Sequence, residues 1–351
     1  MVALMMLRQC ESTNSVLNIK MENSVSMEKL LTLLSDGQFH SGENLGRALG
    51  VTRAAVWKKL KALEALGLRV DSARGKGYRL SAGIELLNKE SIEQHLETDV
   101  RTNIALHTCL STTSTNDLVR ELAPLAPEKR HFCLAEYQTG GRGRRGRNWV
   151  NPFGSTICLS AHWKMGEGTA SLEGLSLAVG LAVFKALEFC GCKGLALKWP
   201  NDILWHSEQG YKKLCGILLE VHGDPTGECE VIIGIGINVA LSARQLADIE
   251  QPATDLFRIS HKPVSRNKVI SAVINTLSHV LDGYGKGGFG LFRNEWLCHD
   301  AYLGQRVMLD ASGRTVTGIA RGVDEQGGLL LETNSGMMTF NGGEVSLKNV
   351  R

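Results

Sequence analysis

Three short helical patterns stand at the head of the chain. Met27, Leu30, Leu31 and Leu34 fall on one face of a helix that Asp36-Gly37 ends. Ser41 can cap a second helix, which carries Leu45 and Leu49 and stops at Gly50. Thr52 can cap a third, with Val56, Leu60 and Leu63 as its stripe and Gly67 as its stop. Two short helices joined by a tight glycine-containing turn describe a helix-turn-helix. Leu68 to Val70 and then Arg74-Gly75-Lys76-Gly77-Tyr78-Arg79 read as a hairpin wing with a basic tip. The first 26 residues lack sustained periodicity and read as a mobile tail, with Met21 or Met27 as alternative starts.

Beyond the wing the pattern alternates between strand and helix. Leu86 to Leu96 predicts a helix, Ile104 to Leu110 a strand, and the polar run Ser111 to Asn116 a loop capping a helix that starts near Asp117. His131 to Tyr137 and Ser155 to Trp163 predict strands, Lys164 to Gly168 a mobile loop, and Leu172 to Phe189 a largely buried helix. Leu195 to Trp199 is a strand, and Leu214 to Val221 with Cys229 to Ile237 an antiparallel pair around His222 to Gly227. Lys268 to Leu281 is an amphipathic helix, and Phe292 to Leu297 is helical as well. From Gly304 the texture changes. Short strands alternate with Ser312-Gly313, Gln326-Gly327-Gly328 and Asn334-Ser335-Gly336 turns, which predicts a small all-β barrel. The expectation is an α/β (α+β) multidomain chain: a tail (1–26), a winged helix-turn-helix (27–84), a central mixed-sheet domain (85–303) and a C-terminal barrel (304–351).

Length and composition agree with this division. A chain of 351 residues holds two or three domains, and 43% hydrophobic with 21% charged residues is ordinary for a globular protein. The net charge of +3 matters only once it is divided along the chain. Between Met27 and Leu80 stand ten Lys and Arg against five Asp and Glu. Positive charge gathered in one small segment is the footprint of a nucleic-acid reader. Thr52, Arg53, Lys58, Lys59, Lys61 and Lys76 are the candidate DNA contacts. The alternative is a three-helix packing module with a solvated basic face. The nine cysteines are scattered, with only Cys190 and Cys192 close together, which reads as free thiols in a reducing cytoplasm. Met1 to Leu7 is short and lacks a basic start, so it makes a poor signal peptide, and no apolar run reaches membrane-spanning length.

The densest chemistry lies in Glu136 to Trp149, where Arg142, Arg144, Arg145 and Arg147 alternate with Gly140, Gly141, Gly143 and Gly146. Glycines let a backbone approach a ligand closely, and their amides can face an anion as a nest. Guanidinium groups add fixed charge and forked donors for carboxylate and phosphate. An RNA-binding or merely solvated arginine patch is the alternative. Such patches usually repeat within disordered tails, whereas this run occurs once, between strand-like segments. A small polyanionic ligand explains it better. Three other positions stay open on residues alone. Ser114, Thr115 and Asn116 can cap a helix or hold a polar ligand, and Lys198 can snorkel or serve an anion. Gly234 and Gly236 can mark a bulge or a close approach by ligand or backbone.

The run Gly-Arg-Gly-Arg-Arg-Gly-Arg-Asn-Trp resembles the signature loop of biotin protein ligases. Lys198-Trp199-Pro200-Asn201-Asp202 is similar to that family's second motif, and Lys213 to Glu220 and Gly234 to Asn238 to its third and fourth. With the basic N-terminal segment, the chain resembles from about Met27 onward the bifunctional members, which also repress the biotin operon. The barrel, with Gly342-Gly343-Glu344, is similar to the family's SH3-like cap. The resemblance implies a two-step reaction: biotin and ATP, with Mg²⁺ on the phosphates, give biotinyl-5′-AMP, and the acyl group passes to a lysine of the biotin carboxyl carrier protein. It implies biotin contacts from Ser114, Thr115, Asn116, Gln138, Gly141, Arg142, Gly143, Arg144, Lys198, Gly234 and Gly236. It implies ATP contacts from Arg145, Arg147, Trp149, Lys198 and Asn238, with Lys198, Arg144 and Arg142 carrying the chemistry. It also implies the adenylate as corepressor, a homodimer when adenylate is bound, and operator DNA as partner. A lipoate ligase and a non-catalytic biotin-sensing repressor are the rival readings.

Overall fold

A computed structural model of the protein describes residues 26–81, 84–165, 172–223, 229–311, 314–341 and 345–349. The expected tail, Gly342 to Glu344 and most of the Lys164 to Gly168 loop lie outside these residues. Lys164 itself belongs to a strand. The chain divides into two compact units, Met1–Leu86 and Leu87–Arg351.

In the first unit, helix α1 (26–34) buries Leu30, Leu31 and Leu34. Helix α2 (Gly42–Leu49) begins at Ser41, whose side chain accepts from the Asn44 amide, and ends at a left-handed Gly50. Helix α3 (Arg53–Ala65) is capped by Thr52 through the Ala55 amide and buries Val56, Leu60 and Leu63. Strands β1 (Val70–Ala73) and β2 (Gly77–Leu80) pair antiparallel around the Arg74-Gly75-Lys76 tip. Reciprocal bonds of 2.8 Å between His40 and Tyr78 tie this wing to the segment before α2. Caps, stripes and wing all follow from the residue pattern.

The second unit is built on a seven-stranded sheet in the order β3-β4-β5-β9-β8-β7-β6. Its strands are β3 (Ile104–Thr112), β4 (Arg130–Gln138), β5 (Thr156–Met165), β6 (Leu195–Lys198), β7 (Asp202–Ser207), β8 (Gly210–Gly223) and β9 (Cys229–Asn238). β3 and β4 run parallel and the other neighbours antiparallel. Two short helices, α4 (Lys89–Gln94) and α5 (Thr98–Asn103), precede the sheet; the first starts later than Leu86, at the cap Asn88, and the second was not expected. Helix α6 (Thr115–Leu122) lies on β4, β5 and β9.

Helix α7 (Leu175–Phe189) buries eleven residues and packs beside α10 (Arg266–Gly287). Each fully buried Leu, Val or Phe on this layer contributes roughly 1.5–3 kcal/mol. Short helices α8 (Ala243–Ala247) and α9 (Leu256–Ser260) follow the sheet, and α11 (Gly290–Cys298) follows α10. β7 was missed by the sequence reading because its six residues follow a Pro-Asn turn without clear alternation.

The C-terminal segment forms a five-stranded antiparallel sheet in the order β13-β12-β11-β10-β14. Its strands are β10 (Arg306–Ala311), β11 (Arg314–Val323), β12 (Leu329–Thr333), β13 (Gly336–Phe340) and β14 (Val345–Asn349). The turn Gln326 to Gly328 reaches back to the central layer, where the indole of Trp199 donates to the Gly327 carbonyl at 2.9 Å. The end of β6 is thus fixed from the side of the small sheet.

Candidate active site

A cavity of about 870 Å³ opens beside the ends of β6, β8 and β9. Among its lining residues are Ser114, Thr115, Asn116, Gln138, Arg142, Gly143, Arg144, Arg145, Arg147, Trp149, Lys198, Gly234, Gly236 and Asn238. All the biotin and ATP candidates except Gly141 therefore meet in one place. Gly141 lies just behind, its carbonyl accepting from the Trp149 amide at 2.9 Å.

One end of the cavity is a closed polar network. Ser114 caps α6, placing Thr115 and Asn116 in its first turn, where all three are buried. Gln138 Oε1 accepts from the Thr115 amide at 2.7 Å and from its hydroxyl at 3.0 Å. The Ser160 hydroxyl sits 2.7 Å from Thr115 Oγ1 and 2.5 Å from Asn116 Oδ1. Asn116 Nδ2 donates to Glu220 Oε2 at 2.9 Å. The cap uses the Ser114 hydroxyl, while the Thr115 and Asn116 side chains bond to Gln138, Ser160 and Glu220.

The arginine run folds as a tight ribbon. Arg142 bridges Asn148, Gly143 N donates to Arg147 O at 2.7 Å, and Arg145 sits in the left-handed region at φ 59°. The four guanidinium groups then part ways. Arg142 grips Asp117 with two bonds of 2.8 and 2.9 Å and reaches Glu220 at 3.3 Å. Arg142 holds the Asp117 carboxyl below its usual range. Arg144 is half-buried and donates to Asn201 Oδ1 at 3.0 Å, and burial lowers its own pKa. Arg145 and Arg147 are exposed. The sequence reading aimed Arg142 at the ligand; the residue lines the cavity, and its guanidinium also ties the loop to α6 and β8. Asp117 and Glu220 were given no role from sequence, although Glu220 closes the third motif.

The second motif frames the opposite wall. Lys198 ends β6 opposite Asp202, and Asn201 is locked to Ile217 by bonds of 2.7 and 2.9 Å. Asp202 pairs with Lys213 at 2.7 Å, and both are largely buried. Lys213 and Asn201 were not singled out from sequence. Lys213 carries its ammonium 6.0 Å from the centroid of Trp149.

The two β9 glycines line the cavity and also seat side chains. A methyl on Gly234 would sit 2.6 Å from Asn116 Oδ1, and one on Gly236 would come within 2.5 Å of Trp149 Cζ2. The close approach is therefore made by this chain's own side chains, which use the two glycines as seats. Asn238 lies at the same end of β9, its amide donating to Thr254 O at 3.0 Å.

In the first unit, Arg53, Lys58, Lys61 and Lys76 are exposed, while Lys59 is half-buried. The Thr52 hydroxyl is engaged in its cap, and Lys61 pairs with Glu64 at 2.6 Å. Trp57 was overlooked: it is 52% exposed amid these cations, where a core helix would hide it.

This sheet, cavity and cationic ribbon are those of a ligase that activates a carboxylic acid. A family model for the biotin/lipoate A/B protein ligase family matches residues 108–238, one for an HTH domain residues 27–79, and one for the biotin protein ligase C-terminal domain residues 302–348. The chain is 34% identical to the bifunctional ligase/repressor BirA of Salmonella typhimurium over 91% of its length and 97% of that protein's. It is also 34% identical to the Escherichia coli K12 protein of the same name, over 93% and 98%. A solved biotin protein ligase from Aquifex aeolicus in complex with biotin and ATP matches with a TM-score of 0.58 and 29% identity, covering 70% of this chain and 99% of that one. The chain belongs to the biotin protein ligase family, among its bifunctional ligase/repressors.

Proposed function

We propose that this protein adenylates biotin with ATP, transfers biotin to a lysine of the biotin carboxyl carrier protein, and represses biotin-synthesis genes when the adenylate is bound. The observation that carries this reading is the shared cavity: Lys198 and the arginine ribbon face the polar network of Thr115, Asn116 and Gln138 across one space. The ureido group of biotin offers one acceptor and two donors, which suits the amide and hydroxyl groups at the closed end. Its tail carboxylate then points to the cationic end.

The chemistry needs no general base there, because a carboxylate is already ionised at neutral pH. A carboxylate oxygen attacks the α-phosphorus of ATP, the bond to the β-phosphate oxygen breaks, and pyrophosphate leaves. The obstacle is repulsion between two anions. Lys198, assigned to both the carboxylate and the α-phosphate, and Arg144 supply preorganised positive charge, with backbone amides of the ribbon beside them. Arg145 and Arg147 would serve the outer phosphates, and Trp149 and Asn238 the adenine. In the second step the acceptor lysine amine attacks the acyl carbonyl and AMP departs.

Asp202 is held by Lys213 at 2.7 Å, the other lining carboxylates, Asp248 and Glu250, are exposed, and Lys198, Arg144, Arg145 and Arg147 add donors. That set fits Mg²⁺ carried on phosphate oxygens rather than caged by the protein. When bound it would draw charge away from the phosphorus. Among the described residues the candidate metal cluster is Glu97, Asp99 and His279, which is exposed and does not line the cavity.

The exposed Arg53, Lys58, Lys61 and Lys76 are assigned to operator DNA. Adenylate ordering the ribbon and favouring a homodimer would pair two winged helices on a two-fold operator. Biotin, ATP and a carrier domain share the cytoplasm, to which the protein is assigned; among the described residues no helix is long and apolar enough to cross a membrane. Incubation with biotin, ATP, Mg²⁺ and a carrier domain, read by mass spectrometry, tests the reading: one biotin on the carrier lysine is expected. An unmodified carrier, or equal labelling by lipoate, contradicts it.

A further inference from the structure

We propose that Glu220, which does not line the cavity, is a positioning residue that fixes the polarity of the Asn116 amide and links it to the arginine ribbon. The inference rests on the assignment of Asn116 to the ureido group of biotin. Glu220 projects from β8, and its carboxylate serves two partners: Oε2 accepts from Asn116 Nδ2 at 2.9 Å, and Arg142 Nη2 lies 3.3 Å from Oε1 and 3.5 Å from Oε2. Arg142 is in turn clamped to Asp117, on the same helix as Asn116.

The argument is one of donors and acceptors. A carboxamide has an oxygen face that only accepts and a nitrogen face that only donates, and rotation by 180° exchanges them. A ligand ring with one acceptor and two donors distinguishes the two orientations. An ionised carboxylate accepts and never donates, so Glu220 can face only the Asn116 nitrogen. Ser160, 2.5 Å from Asn116 Oδ1, satisfies the oxygen. Asn116 is packed against Gly234, so the amide has little room to shift sideways. One N–H and one lone pair remain for the ligand, in an orientation set from behind. Because the same carboxylate touches Arg142, the position of the ribbon and the polarity of the ureido site are read by one group.

The test is Glu220→Gln in the full chain. Glutamine keeps the length but offers both donor and acceptor, so it no longer dictates the Asn116 orientation. By biotin-dependent ATP–pyrophosphate exchange, the KM for biotin should rise about 10-fold or more, the scale of a lost bond to a charged group. The KM for ATP and kcat should stay within about threefold. The preference for biotin over 2-iminobiotin in its neutral form, where a nitrogen replaces the ureido oxygen, should narrow.

In an Asn116→Ala background the same substitution should change the biotin KM less than twofold, because the amide through which Glu220 acts is gone. An unchanged biotin KM in the single variant, or an equal rise in both backgrounds, overturns the proposal. Should Glu220→Gln fail to fold, Glu220→Asp carries the same expectation, since it keeps the charge but loses the reach to Asn116. Unmodified protein showing no biotin-dependent exchange would instead overturn the functional reading.

Discussion

The two ends of the cavity are built on opposite plans. At the closed end, Ser114, Thr115, Asn116 and Gln138 are buried, and Gln138, Ser160 and Glu220 hold Thr115 and Asn116 in place. At the cationic end, the ribbon is anchored by Arg142 and Arg144, while Arg145 and Arg147 project into solvent with Arg145 in the left-handed region. A neutral ring needs directional bonds, and direction requires groups fixed in advance, because an unmade buried hydrogen bond is costly. A polyphosphate needs charge, which acts at a distance and tolerates movement until the ligand arrives. The closed end should therefore set which acid is accepted, and the cationic end the rate and the response to salt.

The largest effect expected sharpens this division at the boundary. Lys198→Ala should lower the rate of adenylation by about 10²–10³, the usual result of deleting one preorganised charge, while the thermal midpoint stays near that of the parent. A loss below tenfold would place the anions elsewhere. Next come the two glycine seats. Gly234→Ala pushes on Asn116 and Gly236→Ala on Trp149, each an overpacking of about 1–3 kcal/mol, or roughly 5- to 160-fold. The first should raise the KM for biotin and the second the KM for ATP. If both raised the same KM, the two ends would not be separable. Smallest are Arg145→Ala and Arg147→Ala. These exposed charges should each shift the KM for ATP by about threefold to fivefold at low salt, and less at high salt as screening grows. A shift in the KM for biotin at either position would contradict the plan.

Much of this was legible in the residues. The caps Ser41 and Thr52, the stripe Val56-Leu60-Leu63 and the wing tip are local signals, each complete within a few positions. The arginine–glycine run was read as an anion site because so much charge stood between apolar strands, and the fold places it on the wall of the cavity. What could not be read is long-range. The Arg142–Asp117 clamp spans 25 residues and the Asn116–Glu220 bond 104, and no periodicity encodes them. The glycines of β9 were visible as anomalies, but only the folded chain shows that Asn116 and Trp149 fill the space they leave. Trp57 was hidden by its neighbours, since an aromatic on a helix ordinarily reads as core.

The measurement that bears most directly on the account is biotin-dependent exchange of pyrophosphate into ATP by the purified chain. Exchange that appears only with biotin and ATP together, and that Lys198→Ala reduces by about 100-fold or more, is what a cavity uniting two anions predicts. Exchange that ignores biotin, or none at all from folded protein, would contradict it.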